Sequence, residues 1–271
     1  MESFYGKYAT SDHRCLIVDG RLAAFAPEGL TEFSIPNEVT TIGDNVFFGC
    51  KNLTRITIPH GVETIAFQAF RECSGITEIS IPESVTTIGG GAFASCSSLT
   101  SFSGKYVSSD QRCLVMDGKL VAFAPSGLTA YTIPHGVTMI GQSAFADCRN
   151  LTSIAIPKSV TTIGEFAFDA CSSLTSITIP DGVTTIGKHA FWFCSSLTSI
   201  TIPDRVTTIG EEAFSSCSNL TKIYCKATTP PTLGSNAFDY TIIYVPQASV
   251  EAYKSADGWS EYANRIEGYD F

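Results

Sequence analysis

Positive charge is sparse in this chain and is not gathered in any one place. The 271 residues include 17 lysines and arginines against 26 aspartates and glutamates, which gives a formal net charge of −9. The basic residues occur as scattered singles. Because nucleic-acid binding needs a basic footprint on the protein surface, the sequence disfavours DNA or RNA as a partner.

Long apolar runs are missing as well. Spanning a bilayer takes roughly 20 consecutive, mainly apolar residues, and no stretch of the chain approaches that length. We therefore expect no membrane insertion of this chain. Its N-terminal region also lacks the charged and apolar segments of a signal peptide.

Motifs that carry catalytic chemistry are also absent. The sequence has no Gly-x-Ser-x-Gly, no Cys-x-x-Cys and no His-Glu-x-x-His. Gly89-Gly90-Gly91 lacks the Gly-Lys-Ser/Thr that makes a phosphate-binding loop specific. We therefore expect a protein that is not an enzyme, with no catalytic residue, metal site or cofactor. Four histidines are scattered along the chain and are interpreted as surface turn residues: His13, His60, His135 and His189.

The dominant feature of the sequence is a 23-residue repeat. Its clearest copy begins at Leu174, and Leu197 starts the next copy. A fixed period of this length indicates a solenoid, in which every repeat forms one turn of a coil. Seven standard copies begin at Leu30, Leu53, Ile76, Leu128, Leu151, Leu174 and Leu197.

Each copy is predicted to contain two extended segments and one helical segment. The Leu-x-x-Ile-x-Ile stretch alternates with period two, so its Ile side chains face inward and the residues between them face solvent. Proline ends this strand because it lacks a backbone N–H. Val-Thr-Thr-Ile-Gly forms a second short strand. Ala-Phe-x-x-Cys is predicted as a short α or 3₁₀ helix with Phe and Cys pointing into the coil.

Two longer units interrupt the standard ones. Residues 1–29 recur in similar form 98 positions later as residues 99–127. In each unit an Asp-Gly pair between apolar runs predicts a β-hairpin, at Asp19-Gly20 and at Asp117-Gly118. Counting 98 residues back from Leu99 reaches Met1 in the place of a repeat leucine. We therefore expect the protein to continue upstream of Met1, where a signal peptide would lie.

Cysteine is concentrated at one repeat position. Stacked turns would bring successive Cα atoms within disulfide range, but parallel Cβ vectors keep the Cβ atoms farther apart than the ~3.8 Å of a disulfide. We predict buried thiols that pack as small hydrophobic groups, with a disulfide framework as the alternative. Seven of the ten cysteines share this position: Cys50, Cys73, Cys96, Cys148, Cys171, Cys194 and Cys217.

The repeat resembles a known family. Leu-Thr-x-Ile-x-Ile-Pro followed by Val-Thr-x-Ile-Gly-x-x-Ala-Phe-x-x-Cys, over about Leu30 to Cys217, is similar to the BspA-like leucine-rich repeat proteins. The segment from Ile243 to Trp259 looks like the closing segment of such proteins from gut and oral Bacteroidetes. The resemblance implies secreted or surface-exposed proteins, some of them adhesins, that have no cofactor and no catalytic residues.

We therefore predict a leucine-rich repeat solenoid, a right-handed coil of α/β type that is rich in β-structure. It should have about ten rungs and two inserted β-hairpins, and form one domain over residues 1–271. The predicted parts are long variant units at 1–29 and 99–127, standard units at 30–98 and 128–219, and a C-terminal variant unit and cap at 220–271.

The outward side of the Leu-x-x-Ile-x-Ile strands, here called the strand face, is the first surface that a partner could contact. Most of its residues are small Ser and Thr. Interface hot spots favour Trp, Tyr and Arg, so Arg55 and Tyr224 are the strongest candidates. The charged residues Glu32, Glu78 and Lys222 accompany them as candidate partner-binding residues.

Two further places carry larger side chains. Arg21 and Lys119, at the tips of the predicted hairpins, are candidate partner-binding residues. The tail carries Tyr253, Trp259 and Tyr262. We interpret the tail as a cap, because the apolar end of a solenoid must be covered; a binding site there is the alternative.

Two functions are open on the sequence alone. The first is a non-catalytic, adhesin-like binding module at the cell surface or in the secreted fraction, with a protein or glycan partner. The alternative is a structural stalk or spacer domain of a larger surface protein, which the small residues of the strand face favour. An enzyme is a distant third, because no nucleophile, base or metal ligands converge.

Overall fold

A computed structural model describes residues 3–271. Met1, from which the upstream extension was inferred, lies outside the described residues, as does Glu2. The chain divides into two compact units, Met1–Gly127 and Leu128–Phe271. Each unit is a run of β-rich solenoid turns, about 11 turns in all, which confirms the predicted solenoid. The single domain over 1–271 stays a prediction.

The first unit consists of short strands separated by turns, and its strand positions follow the repeat. The strands are β1 (Cys15–Val18), β2 (Arg21–Phe25), β3 (Glu32–Ser34), β4 (Thr41–Ile42), β5 (Arg55–Thr57), β6 (Thr64–Ile65), β7 (Glu78–Ile81), β8 (Thr87–Ile88), β9 (Ser101–Gly104), β10 (Cys113–Met116) and β11 (Lys119–Phe123).

Outside its two long units, the strands of the first unit pair in parallel, one repeat against the next. Strand β3 pairs with β5 and β7 with β9, so that Glu32 lies opposite Arg55. The second strand of each repeat forms another row in the order β2-β4-β6-β8. The alternation of Ile with polar residues therefore places one side of each strand in the core and the other in solvent, as predicted.

The second unit repeats this plan and adds a short helical tail. Its helical segments are α1 (Val250–Ser255) and two 3₁₀ helices, Gln247–Ser249 and Trp259–Arg265. The strands are β12 (Ala130–Thr132), β13 (Met139–Ile140), β14 (Ser153–Ala155), β15 (Thr162–Ile163), β16 (Ser176–Ile177), β17 (Thr185–Ile186), β18 (Ser199–Ile202), β19 (Thr208–Ile209), β20 (Lys222–Cys225), β21 (Thr232–Leu233), β22 (Ile242–Pro246) and β23 (Ile266–Tyr269).

Parallel pairing continues to the end of the second unit. The longer strands form one sheet in the order β12-β14-β16 and another in the order β18-β20-β22-β23. The short Thr-Ile strands pair as β13-β15-β17-β19-β21. Every pairing in this unit is parallel, because successive turns of a coil run in the same direction.

The predicted hairpins are present in the two long units. Strand β1 pairs antiparallel with β2, and β10 with β11. The turn residues Asp19 and Gly20 have φ of 47° and 75°, and Asp117 and Gly118 have 47° and 77°, as a two-residue turn requires. In the first unit, β2 also continues the row of short strands, because Leu22 lies opposite Ile42.

The predicted short helices at Ala-Phe-x-x-Cys are wrong: these segments are successive turns. Among residues 3–271, helix occurs only in the tail. The backbone N–H of Phe70 donates to the carbonyl oxygen of Ala92 in the next repeat, at 2.8 Å. This N–H is therefore not available for a hydrogen bond within a helix. Gln68 and Glu72 have φ of 52° and 60°, a left-handed conformation that interrupts a right-handed helix.

The core is a set of ladders, each made of one residue type. In the second unit, the rings of Phe168 and Phe191 stack with centroids 5.1 Å apart, and those of Phe191 and Phe214 also at 5.1 Å. In the first unit, Phe47 and Phe70 stack at 4.9 Å. All five rings are fully buried. The ladders lie inside the coil, as the repeat predicted.

The glycine after the second strand is needed for close approach of the turns. A Cβ added at Gly187 would lie 2.6 Å from the carbonyl carbon of Gly164 in the preceding turn. A Cβ on Gly210 would meet the backbone of Gly187 at the same distance. One repeat departs from this pattern, with Ala66 at the glycine position. The glycine therefore sets how closely successive turns pack.

Candidate binding surfaces

The strand face of the first unit carries a small group of opposite charges. Glu32, Arg55 and Glu78 are all exposed on their strands. Glu32 lies directly opposite Arg55, while Glu78 lies opposite Ser101. In residues 3–271, however, no ion pair joins Glu32 to Arg55. Both charged groups therefore remain available to a partner on the strand face.

Lys222 and Tyr224 lie on the strand face of the second unit, two residues apart on β20. Lys222 is exposed and lies between Ser199 and Ile242 of the neighbouring strands. Tyr224 is half-buried and lies opposite Thr201 on one side and Tyr244 on the other. Tyr224 is thus the first ring of a larger group.

That group is an aromatic patch formed by Tyr224, Tyr244, Tyr269 and Phe271. The rings of Tyr224 and Tyr244 stack with centroids 5.0 Å apart and an interplanar angle of 15°. Tyr269 packs its edge against both, at 5.3 Å and 5.6 Å. Phe271 lies 5.0 Å from Tyr269. Tyr269 and Phe271 are 43% and 51% exposed, so the patch presents aromatic surface to solvent.

Three of these four rings were not predicted from the sequence. Tyr244 lies 20 residues after Tyr224 and Tyr269 another 25 residues on, so the 23-residue period does not align them. A signal was nevertheless present: the alternation of Ile243, Tyr244 and Val245 places the tyrosine on the outward side of a strand.

A shallow groove of about 580 Å³ lies beside Phe271. Both charge signs line it, which makes it suited to a polar ligand rather than to a simple ion. Its lining residues are Asp181, Gly182, Asp204, Arg205, Lys226 and Phe271.

The two hairpin candidates differ in their surroundings. Arg21 and Lys119 are the first residues of β2 and β11, directly after the turn residues rather than in the turn. The guanidinium of Arg21 forms an ion pair with Asp44 at 2.9 Å, with both side chains about half exposed. Lys119 is half-buried opposite Met116. Arg21 is thus already engaged within the protein.

The aromatic residues of the tail lie inside the fold. Tyr253 and Trp259 have no exposed surface and Tyr262 has 4%. The indole N–H of Trp259 donates to the carbonyl oxygen of Pro231 at 2.7 Å, and the hydroxyl of Tyr253 donates to that of Ala227 at 2.8 Å. These rings are inaccessible to a partner, which supports the interpretation as a cap.

The ten cysteines are buried thiols and not halves of disulfides, as predicted. Burial raises the pKa of Cys50 to about 11 and that of Cys96 to about 12. Nucleophilic cysteines need the opposite, a lowered pKa and access to solvent. The thiols are therefore structural.

Residues 3–271 contain neither a metal-binding cluster nor a membrane-spanning helix. No group of three or more His, Cys, Asp and Glu side chains in this range is arranged to hold a metal ion. None of the helices in the same range has both the length and the apolar character that crossing a bilayer requires.

Comparison with sequence families gives a match over most of the chain. Residues 21–109 and 119–243 match the family described as BspA type leucine rich repeat region, in six copies. No curated protein sequence matches the chain.

Solved structures of bacterial proteins are similar to this one. A leucine rich cell surface protein from Faecalibacterium prausnitzii is 29% identical with a TM-score of 0.68, and the match covers 90% of this chain and 61% of that protein. The chain thus spans less than two thirds of that relative. The pneumococcal vaccine antigen PcpA shares the fold, with 20% identity, a TM-score of 0.67 and coverage of 93% and 71%.

Proposed function

Because the chain belongs to the BspA-type leucine-rich repeat family, we propose that it is a non-catalytic, adhesin-like binding module of a cell-surface or secreted protein. The aromatic patch of Tyr224, Tyr244, Tyr269 and Phe271 carries the proposal. The cell surface protein from Faecalibacterium prausnitzii supports the location.

Packing of the fold alone does not explain the aromatic patch. Core ladders and a buried cap already cover the apolar interior of this unit, so exposed rings at the edge of β23 add little to folding. Tyrosine and other aromatic residues are enriched at interface hot spots because a large ring gains contact area at low cost in side-chain entropy. A partner that covers the patch would remove its apolar surface from water.

The partner is a protein or a glycan. Tyrosine rings pack against the side chains of a protein or against the C–H groups of a sugar, and the adjacent groove offers Asp181, Asp204, Arg205 and Lys226 for hydrogen bonds to polar groups. The remaining candidates on the strand face are Glu32, Arg55, Glu78 and Lys222, and those on the hairpins are Arg21 and Lys119.

Binding of the purified chain to immobilised fibronectin, to collagen and to an array of mucin O-glycans tests the proposal. The double variant Tyr224→Ala/Tyr269→Ala is expected to weaken binding at least tenfold. Tyr240→Ala is the matched control, because Tyr240 is 99% exposed and lies outside the patch. If both variants lost binding equally, or if neither lost binding, the assignment of the binding site to the aromatic patch would be contradicted.

Two further variants distinguish the other candidates. Arg55→Glu combined with Tyr224→Ala tests the strand face, and Arg21→Glu combined with Lys119→Glu tests the hairpins. Weakening by the hairpin variant alone would move the binding site from the strand face to the hairpins.

A structural stalk is the second candidate function. On the strand face of the standard repeats in the second unit, the outward residues are all Ala, Ser or Thr. Such a surface offers a partner no hot spot. If none of the proteins and glycans tested binds to the chain, the stalk becomes the better assignment.

A further inference from the structure

The standard repeats of the second unit differ most on a surface other than the strand face. This surface, here called the turn face, consists of the two residues after the repeat glycine and the two residues after the repeat phenylalanine. The strand face of the same repeats carries only Ala, Ser and Thr. In two adjacent repeats the turn face carries Glu165-Phe166, Asp169-Ala170, Lys188-His189 and Trp192-Phe193.

Four of these side chains form a cluster, here called the turn-face cluster: Phe166, His189, Trp192 and Phe193. The rings of Phe166 and His189 stack with centroids 4.6 Å apart, and His189 meets the edge of Trp192 at 5.3 Å. Trp192 lies edge-on to Phe193 at 4.6 Å. Phe193 is 45% exposed, while the other three rings are half-buried. The cluster is a continuous aromatic surface open to solvent.

The backbone at this cluster is unfavourable for large aromatic residues. Phe166 and Phe193 have φ of 54° and 55°, in the left-handed region that bulky side chains rarely occupy. His189 has φ of 53°, but histidine adopts this conformation more readily. In the next repeat the positions of His189 and Phe193 are occupied by Glu212 and Ser216, with φ of 52° and 60°. Because small or polar residues serve the same turn elsewhere, folding does not require aromatic rings here.

The charges around the cluster are mainly negative. Glu165 and Asp169 lie on the turn face of these two repeats, and Glu211 and Glu212 on that of the next repeat. The positive charges beside them are Lys188 and, near Asp169, Arg149. Lys188 forms an ion pair with Glu211 at 2.7 Å, and the Nε2 atom of His189 lies 3.1 Å from Glu212. An aromatic surface with a negative rim complements a partner that combines apolar and basic side chains.

We propose that the turn-face cluster is a docking site for a polypeptide segment in which an aromatic or aliphatic side chain lies next to lysine or arginine. The apolar side chain packs on Trp192 and Phe193, and the basic group is directed to the surrounding carboxylates. A net charge of −9 disfavours the approach of a second copy of this chain to the negative rim. This site is separate from the aromatic patch of the strand face.

Selection of a phage library of random 12-residue peptides on the whole chain tests the proposal. The enriched peptides are expected to contain lysine or arginine beside Trp, Tyr, Phe or Leu. Trp192→Ser, which introduces the residue found at Ser215 of the next repeat, should weaken their binding at least tenfold. Phe48→Ser is the matched control, because Phe48 is an aromatic residue, 47% exposed, at the same repeat position of the first unit.

A second measurement separates docking from a structural role. Phe193→Asn places a residue that tolerates positive φ at this position, so the melting temperature should stay unchanged or rise while peptide binding is lost. A clear fall in melting temperature would show that the ring serves folding and would overturn the proposal.

The remaining outcomes are also decisive. Enrichment of peptides without basic residues, failure to enrich any family of peptides, or peptide binding that survives Trp192→Ser would each overturn the proposal. Loss of peptide binding in Tyr224→Ala/Tyr269→Ala, with Trp192→Ser unaffected, would assign the peptides to the strand face instead. That result would leave the proposed binding function standing and remove only the turn-face site.

Discussion

The thiol of Cys194 donates a hydrogen bond to the backbone carbonyl oxygen of Phe168, with a distance of 3.2 Å between sulfur and oxygen. The same contact joins Cys217 to Phe191 at 3.0 Å and, in the first unit, Cys73 to Phe47 at 2.9 Å. Each repeat cysteine of this kind therefore reaches back over 26 residues to the preceding turn. The cysteine fills space in the core and also gives this carbonyl group a second hydrogen bond, beside the one that Phe168 already accepts from the backbone N–H of Cys171 at 3.2 Å.

The cysteines should be reduced, and they should be shielded from solvent in the folded protein. A thiol reagent added without reductant is expected to label most of the ten cysteines in denaturant and few of them in the native state, because burial prevents access to the thiols. Mass spectrometry of the labelled protein provides the count. Almost no labelling after unfolding would show that disulfides are present.

The free energy of unfolding should fall as the pH rises above about 8.5. Burial raises the pKa of Cys50 to about 11, Cys96 to about 12 and Cys225 to about 11, whereas an unfolded thiol ionises near pH 8.5. Above that pH the unfolded chain releases protons that the folded chain retains, so unfolding becomes more favourable. Urea midpoints measured between pH 7 and 10.5 should be level up to about pH 8 and then decline. Urea midpoints that rise above pH 8.5 would contradict the predicted loss of stability.

The free energy of unfolding should depend on the ladders far more than on the strand face. Phe168→Ala removes a fully buried ring from the Phe ladder. The free energy of unfolding should fall by about 3–5 kcal/mol, because a cavity remains. Ser176→Ala, on the exposed side of β16, should change it by less than about 0.5 kcal/mol. Guanidinium titrations of the two variants compare these effects. Equal shifts of the guanidinium midpoint in the two variants would mean that the Phe ladder is not in the core and the strand face is not on the surface.

Gly187→Ala should be strongly destabilising although it adds only one methyl group. The new Cβ would lie 2.6 Å from the backbone of Gly164, so two turns would have to move apart, at a cost of about 1–3 kcal/mol or more. The reverse change, Ala66→Gly, is made in the repeat that has alanine at the glycine position. It should lower the free energy of unfolding by only about 0.5–1 kcal/mol, through backbone entropy. Thermal unfolding monitored by circular dichroism compares both. Similar losses in the two variants would refute the role of close approach.

The repeat determined which parts of the structure could be predicted. Wherever the period of 23 holds, the strand positions and the buried Phe ladder follow from the alternation of apolar and polar residues. The hairpin at Asp19-Gly20, in a long unit outside that period, follows from its turn chemistry. The short helices at Ala-Phe-x-x-Cys were wrong because spacing alone does not show that the N–H of Phe70 is bonded to the next turn. Local preference was overridden by contacts between repeats.

The candidate sites were less predictable than the fold. Tyr224 was identified because it interrupts a row of small residues, whereas Tyr269 joins it through a tail that departs from the period. The turn-face cluster was missed for a different reason. Its significance depends on the positive φ of Phe166 and Phe193, and a single sequence does not show that large residues occupy strained positions.

The hydrogen bonds that repeat between successive turns also affect how the number of repeats in the gene can change. Thr184 donates its hydroxyl to the carbonyl oxygen of Thr161, and Thr207 makes the same bond to Thr184. Excision of residues 174–196 would therefore bring Thr207 over Thr161 and Phe214 over Phe168 with the same contacts in the core and between strands. The turn face would change, because Glu211 would replace Lys188 as the neighbour of Glu165. Recombination in steps of 23 codons would then alter the copy number of turns without a new interface having to evolve. A cooperative melt of the excised variant, at a temperature close to that of the parent, would verify this, and a molten or aggregated product would disprove it.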